Sequence, residues 1–178
     1  MARWLISLVL LSSVPGVVCA NPAVLELLSD SQNLTPQMLI AKAEKDYPGI
    51  ISEFDIDVEN GELIYEISII DTKLDTVSEF EFWAKDGRLI RQKVEALEAD
   101  DRDELKATKL VLEMGLTFSQ LIKQAMGDST AHILEAQLDH DLGISYLELK
   151  LIDENGKRKL AFDIEQQRPL PLLKWDLN

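Results

Sequence analysis

LTPQMLIAKAEKDYPGIISEFDIDVENGELIYEISIID, residues 34–71, decides the fold, because it returns as LTFSQLIKQAMGDSTAHILEAQLDHDLGISYLELKLID, residues 116–153. The two stretches align without a gap at a constant offset of 82, and 13 of the 38 pairs are identical. Ordinary composition would give about two or three. A fixed period of this kind means one supersecondary unit used twice, so the unit is the thing to read.

Within the first copy, Thr35-Pro36 is a helix start, a threonine cap followed by a proline whose missing N–H costs nothing there. Leu39, Ile40, Ala43 and Tyr47 then form one apolar stripe, and Tyr47-Pro48-Gly49 stops the helix. From Ile51 the period changes to two, with Phe54, Ile56 and Val58 alternating with Asp55, Asp57 and Glu59. Asn60-Gly61 is a hairpin signal, since both positions tolerate positive φ. Leu63, Tyr65, Ile67 and Ile69 continue the alternation in the returning strand. A third strand carries Phe80 and Phe82 inward and Glu79, Glu81 and Trp83 outward, and Asp86-Gly87 turns the chain into a fourth over Leu89 to Val94.

The second copy repeats this plan with Thr117 as cap, Leu121, Ile122 and Ala125 as stripe, and strands over 133–138, 146–152 and 159–164. After Asp153 the offset falls to 80, so that Phe82 matches Phe162 and Arg88 matches Arg168. Pro169 and Pro171 place the last segment at a sheet edge, and Trp175 is expected to cover apolar surface. The expected fold is α+β, two repeated units, each a helix packed on a three- to four-stranded antiparallel sheet. The first unit is assigned to 34–97 and the second to 116–178, joined by an acidic linker over 98–115. Its Leu, Ala, Lys and Glu content favours a helix over a hinge. Residues 21–33 form an N-terminal segment in which Ala23 to Leu28 is expected to be a short helix.

Residues 1–20 have the pattern of a signal peptide: Arg3, an apolar run from Leu5 to Val14, then Val18-Cys19-Ala20 as the cleavage signal. Lipid anchoring through Cys19 is the competing reading, and Val18 before the cysteine fits it poorly. Cleavage after Ala20 leaves a chain without cysteine, hence without disulfides or thiol chemistry. No later hydrophobic stretch reaches spanning length, so no membrane span is expected after signal removal. The formal net charge is −14, near −15 once Arg3 is gone. Such a surface argues against nucleic acid as a partner and favours basic partners or cations.

A helix, strands around a glycine-centred hairpin, and an aromatic strand ending in an Asp-Gly turn with a basic residue and an apolar pair together resemble the PepSY domain. The first copy is similar in Thr35 to Ala43, Pro48-Gly49, Gly61 with Tyr65-Glu66-Ile67, and Phe82 through Ile90. The second is similar in Thr117 to Ala125, Gly143 to Leu149 and Phe162-Asp163-Ile164. The family's closing strand carries an aspartate where the first copy has Trp83, while the second keeps it as Asp163. Its turn glycine is Gly87 in the first copy and Gln167 in the second. The resemblance implies an exported, non-catalytic module of the kind found in protease propeptides and cell-envelope proteins. Protease inhibition or local regulation is the role proposed for such modules.

No catalytic constellation, cofactor motif or metal site emerges, and the chain is expected not to be an enzyme. His132 and His140 lie eight residues apart on one strand, roughly 25 Å at 3.3 Å per residue, too far to share an ion. Acid clusters such as Asp55, Asp57 and Glu59 lack the spacing of a calcium loop. The residues expected to bind a partner are Trp83, Glu79, Glu81 and Asp163, with Trp83 alternatively packed against the second unit. The expected setting is the periplasm and the expected partner another envelope protein, a protease or a sensor's external domain. The alternative is a small ligand or divalent cation held in the groove between units.

Overall fold

The computed structural model describes residues 22–99 and 101–171. The signal segment with Cys19, and Trp175, lie outside the described residues. In chain order the elements are α1 (Pro22–Ser29), α2 (Pro36–Asp46), β1 (Ile50–Glu59), β2 (Glu62–Asp71), β3 (Thr76–Trp83) and β4 (Leu89–Ala96). Then follow α3 (Arg102–Glu113), α4 (Phe118–Met126), β5 (His132–Asp141), β6 (Ile144–Asp153), β7 (Gly156–Asp163) and β8 (Arg168–Leu170). Among the described residues no helix is long and apolar enough to cross a membrane.

Local chemistry sets the elements. Thr35 Oγ1 accepts from Met38 N at 3.2 Å to open α2. At α4 the cap is reciprocal: Thr117 Oγ1 accepts from Gln120 N, and Thr117 N donates to Gln120 Oε1 at 2.9 Å. The β1–β2 hairpin turns through Asn60 at φ 52° and Gly61 at φ 84°, and Leu142 and Gly143 repeat that geometry between β5 and β6. Gln167, where the first half has Gly87, keeps the left-handed backbone at φ 49°.

The strands form one antiparallel sheet in the order β4-β3-β2-β1-β5-β6-β7-β8. The two sheets expected from the repeat are therefore halves of a single sheet, fused along β1 and β5. Phe54 pairs with Ala136, its own counterpart 82 residues on, flanked by Glu53 with Gln137 and Asp55 with Glu135. A pseudo-two-fold axis consequently passes between Phe54 and Ala136, and the chain is built like an isologous dimer joined covalently.

The helices obey the same axis. Ser119 donates from N and Oγ to the Glu44 carboxylate at 2.8 and 2.6 Å, tying the start of α4 to α2. The mirror-image contact joins Gln37 Nε2 to Met126 Sδ at 3.9 Å, because Gln37 and Met126 are the counterparts of Ser119 and Glu44. Both helices cover the apolar face of the sheet, over Phe54, Tyr65, Ile67, Phe80, Phe82, Leu138, Leu147, Leu149 and Phe162. Tyr47 closes α2, and its ring packs on Phe80 and Phe82 with centroids 4.3 and 6.1 Å away. Burial of these side chains contributes about 1.5–3 kcal/mol each and is the main force holding the helices down.

α3 breaks the symmetry. It lies on the opposite, polar face, across β5, β1 and β6, with Ala107, Thr108 and Val111 buried beneath it. Among the described residues both sheet edges are open, but they differ. β8 is three residues long and contains Pro169, whereas β4 is eight residues long and exposed throughout.

Candidate functional site

Strand parity puts the charged residues of β1, β2 and β3 on the polar face, where one register row runs across seven strands. In order it reads Arg91, Glu81, Glu66, Asp55, Glu135, Lys150 and Lys159. Four carboxylates thus stand side by side with bases only at the ends. Arg91 pairs with Glu81 and Lys150 with Glu135, so among the described residues the two middle acids, Glu66 and Asp55, carry no ion pair. Like charges directly opposite each other destabilise a sheet, and nothing in the folding of β1 and β2 calls for them.

The next row places Glu53 between Ser68 and Gln137. Glu104 reaches down from α3, its Oε1 accepting from Gln137 Nε2 at 3.1 Å. Burial, and then the charges of Glu104, Asp55, Glu135 and Glu66, push the Glu53 carboxyl up to about 7. Burial followed by neighbouring acids also raises Glu66, and burial is the leading cause for Asp55 and Glu104. α3 covers the β5 side of this face and leaves the β2–β4 side open as a trough of about 190 Å³, lined by Glu53, Glu66, Ser68, Glu79, Glu81 and Arg91.

The four residues singled out from sequence part company here. Glu79, Glu81 and Trp83 share one face of β3 in a line, facing Ser68, Glu66 and Ile64 of β2. Glu79 lies 3.9 Å from Lys93, and Glu81 accepts from Arg91 Nε at 2.9 Å. Trp83 is half-buried and lines a second groove, of about 390 Å³, with Leu27, Asp30, Gln32, Lys85 and Arg88. It does not pack against the second half, because β2 and β1 stand between β3 and β5. Asp163 is only 3% exposed, and its Oδ1 accepts from Gln166 N at 2.9 Å to close the turn into β8. That placement gives it a turn-forming role in this structure.

Sequence reading missed Glu53, Glu66 and Glu104. The signal was available for the first two, as their positions sit in strands of known parity. Glu104 could be found only after α3 was seen to cross the sheet. His140 Nδ1 lies 2.9 Å from Ser145 Oγ. Among the described residues no three His, Cys, Asp or Glu side chains gather in a way that could hold a metal ion. A third groove, of about 370 Å³, lies between α2 and α4 near the pseudo-two-fold axis and is lined by Gln37, Ile40, Ser119, Ile122, Lys123 and Met126.

Residues 33–93 match the family model of PepSY, the "Peptidase propeptide and YPEB domain". The match spans α2 through most of β4 and shows the resemblance for the first half. A similar solved structure is that of a "putative lipoprotein" from Clostridium difficile 630, 16% identical with a TM-score of 0.47, covering 82% of this chain and 95% of that one. No curated protein matches the chain.

Proposed function

We propose that this is an exported, non-catalytic binding module that acts on another protein of the cell envelope, a protease or a sensor's external domain, from a periplasmic location. The PepSY match supports the module, and the signal pattern of residues 1–20 supports export. The binding surface is the open polar trough of the first half, with Glu79, Glu81 and Glu66 along it, continued along β3 to Trp83 in the neighbouring groove. The observation that carries this reading is the pair of middle carboxylates, Glu66 and Asp55, set between paired acids at a cost to the sheet where the polar face opens from α3 toward β2–β4. A basic, extended segment of a partner would relieve that repulsion while an aromatic anchor holds one end.

Titration with lysine- and arginine-rich extended peptides, followed by tryptophan fluorescence, tests it. The expected signal is saturable, weakens with added salt, and is lost on Trp83→Phe for the fluorescence change and on Glu66→Gln with Glu81→Gln for affinity. Binding indifferent to all three substitutions, or none, sinks the proposal. The groove between α2 and α4 supports a second reading, a small ligand held between the halves; lined by Gln37, Ser119, Lys123 and Met126 and, among the described residues, without a carboxylate, it does not favour the divalent cation. Thermal shifts across a ligand and cation panel decide it, and a flat response removes it.

A further inference from the structure

The two ends of the sheet are equivalent by the pseudo-two-fold axis, yet only one is protected. β8 is blunted by brevity and by Pro169, followed at once by Pro171. β4 is long, proline-free, and exposes Leu89, Ile90 and, at 55%, Val94. Its backbone groups on the outer side are therefore a ready template for another strand.

We propose that the occupant is a second copy of this chain, its β4 docked antiparallel on the first about a two-fold axis at Val94. Charge selects both the partner and the register. The chain as a whole carries −14, but β4 carries Arg91, Lys93 and Glu95, a net +1, so this edge does not share the negative excess that keeps copies apart, and the placing of its charges decides the register. For two identical antiparallel strands whose side chains share faces, the axis must pass through a residue. Centred on Gln92, the pairing sets Arg91 against the partner's Lys93 twice. Centred on Lys93, it sets lysine against lysine. Centred on Val94, it sets Lys93 against the partner's Glu95 twice, Gln92 against the partner's Ala96, and valine against valine. Of these three registers, only the last is free of like-charge pairs.

An edge lysine ordinarily discourages pairing. Lys93 already forms an ion pair with Glu95 of its own strand, and in the dimer the four charges close into an alternating ring. The molecule has performed the same operation internally, since β1 and β5 join two sheet edges about an axis that also passes through equivalent residues. The result is a sixteen-stranded sheet whose open troughs lie on either side of the new axis, independent of what those troughs bind.

Sedimentation equilibrium of the purified protein, with amide exchange read along β4, is the test. A concentration-dependent species of twice the chain mass is expected, with β4 amides slowed in it. Val94→Lys, Glu95→Lys and Lys93→Glu each weaken it about tenfold or more by opposing like charges at the axis. The double exchange Lys93→Glu with Glu95→Lys restores it, a recovery that no folding defect would mimic. A monomer at every concentration overturns the proposal, and so does a dimer indifferent to the single changes. A chain that stays monomeric while a peptide of different sequence slows the β4 amides assigns the edge to another protein, and likewise overturns it.

Discussion

Glu53 and Glu135 occupy equivalent positions beside the bulge in β1 and β5, yet Glu53 faces Ser68 and Glu135 faces Lys150. The same contrast runs along the face. Ser68 and Glu79 of the first half correspond to Lys150 and Lys159 of the second, and Asp55, Glu81 and Trp83 correspond to Gln137, Ala161 and Asp163. The second half neutralises its acids, with Lys150 on Glu135 and Lys159 Nζ 3.0 Å from Glu148 Oε1. The first half accumulates acids and leaves the middle of the row bare. On the apolar face the counterparts keep their character: Leu39 and Leu121, Ile40 and Ile122, Tyr65 and Leu147, Phe82 and Phe162 are all buried. A repeated scaffold thus conserves what folding needs on one side of the sheet and lets chemistry diverge on the other.

Breaking the pseudo-symmetric core gives the largest expected effect. Phe54 is fully buried, with its ring centroid 5.4 Å from that of Tyr65, and Phe54→Ala should cost about 3–5 kcal/mol in urea unfolding. The reciprocal Ala136→Phe overpacks the same axis and should cost about 1–3 kcal/mol. Equal, small losses from both would mean that the axis region is loosely packed.

Next comes Gly49, whose counterpart is Ala131. Gly49 has φ +114°, and a Cβ there would meet Ile69 Cγ2 at 2.6 Å and the Ile70 carbonyl oxygen at 2.7 Å. Gly49→Ala should cost about 3 kcal/mol, combining backbone strain and contact, whereas Ala131→Gly should cost about 1 kcal/mol. Circular dichroism melts of the pair would compare them directly.

Importing the second half's solution into the first is the sharper experiment. The Glu53 carboxyl, at about 7 in the folded chain against an ordinary 4.5, holds a proton that the unfolded chain releases. The contribution of Glu53 to stability is therefore greatest below pH 4.5 and falls as the pH rises to 7. Ser68→Lys places a cation opposite Glu53, and should flatten that fall and raise stability at pH 8 by about 1–2 kcal/mol after solvent screening. Glu53→Gln should flatten it as well. An unchanged pH profile in both variants would show that the acids on this face are not coupled as the geometry implies.

The smallest effect tests the helix contacts. Glu44→Ala removes the carboxylate that accepts from Ser119 at the start of α4 and should cost about 1 kcal/mol. Its mirror, Met126→Ala, loses only a weak contact to Gln37 and should cost less.

Much of this was legible in the chain before folding. The caps at Thr35 and Thr117, the hairpin at Asn60-Gly61, the inward Phe80 and Phe82, and the outward parity of Glu79, Glu81 and Trp83 depend on neighbours within a few residues, where sequence pattern and backbone geometry are tightly linked. Asp163 was singled out as the counterpart of Trp83, and equivalence of position does not tell what turn folds over a side chain. Glu53 and Glu104 are ordinary acids in the sequence and acquire their shared environment only when α3 lies across the sheet.

By itself, then, the sequence determined the unit and its repetition, since period, turn chemistry and capping are local properties written into each copy. Tertiary structure alone decided that the copies meet edge to edge through Phe54 and Ala136, that α3 lies across β5, β1 and β6 and leaves β2–β4 uncovered, and that β4 has no neighbour on its outer side among the described residues. Those outcomes turn on contacts between residues some eighty positions apart, whose free energy depends on shape and charge across an interface that no local pattern encodes.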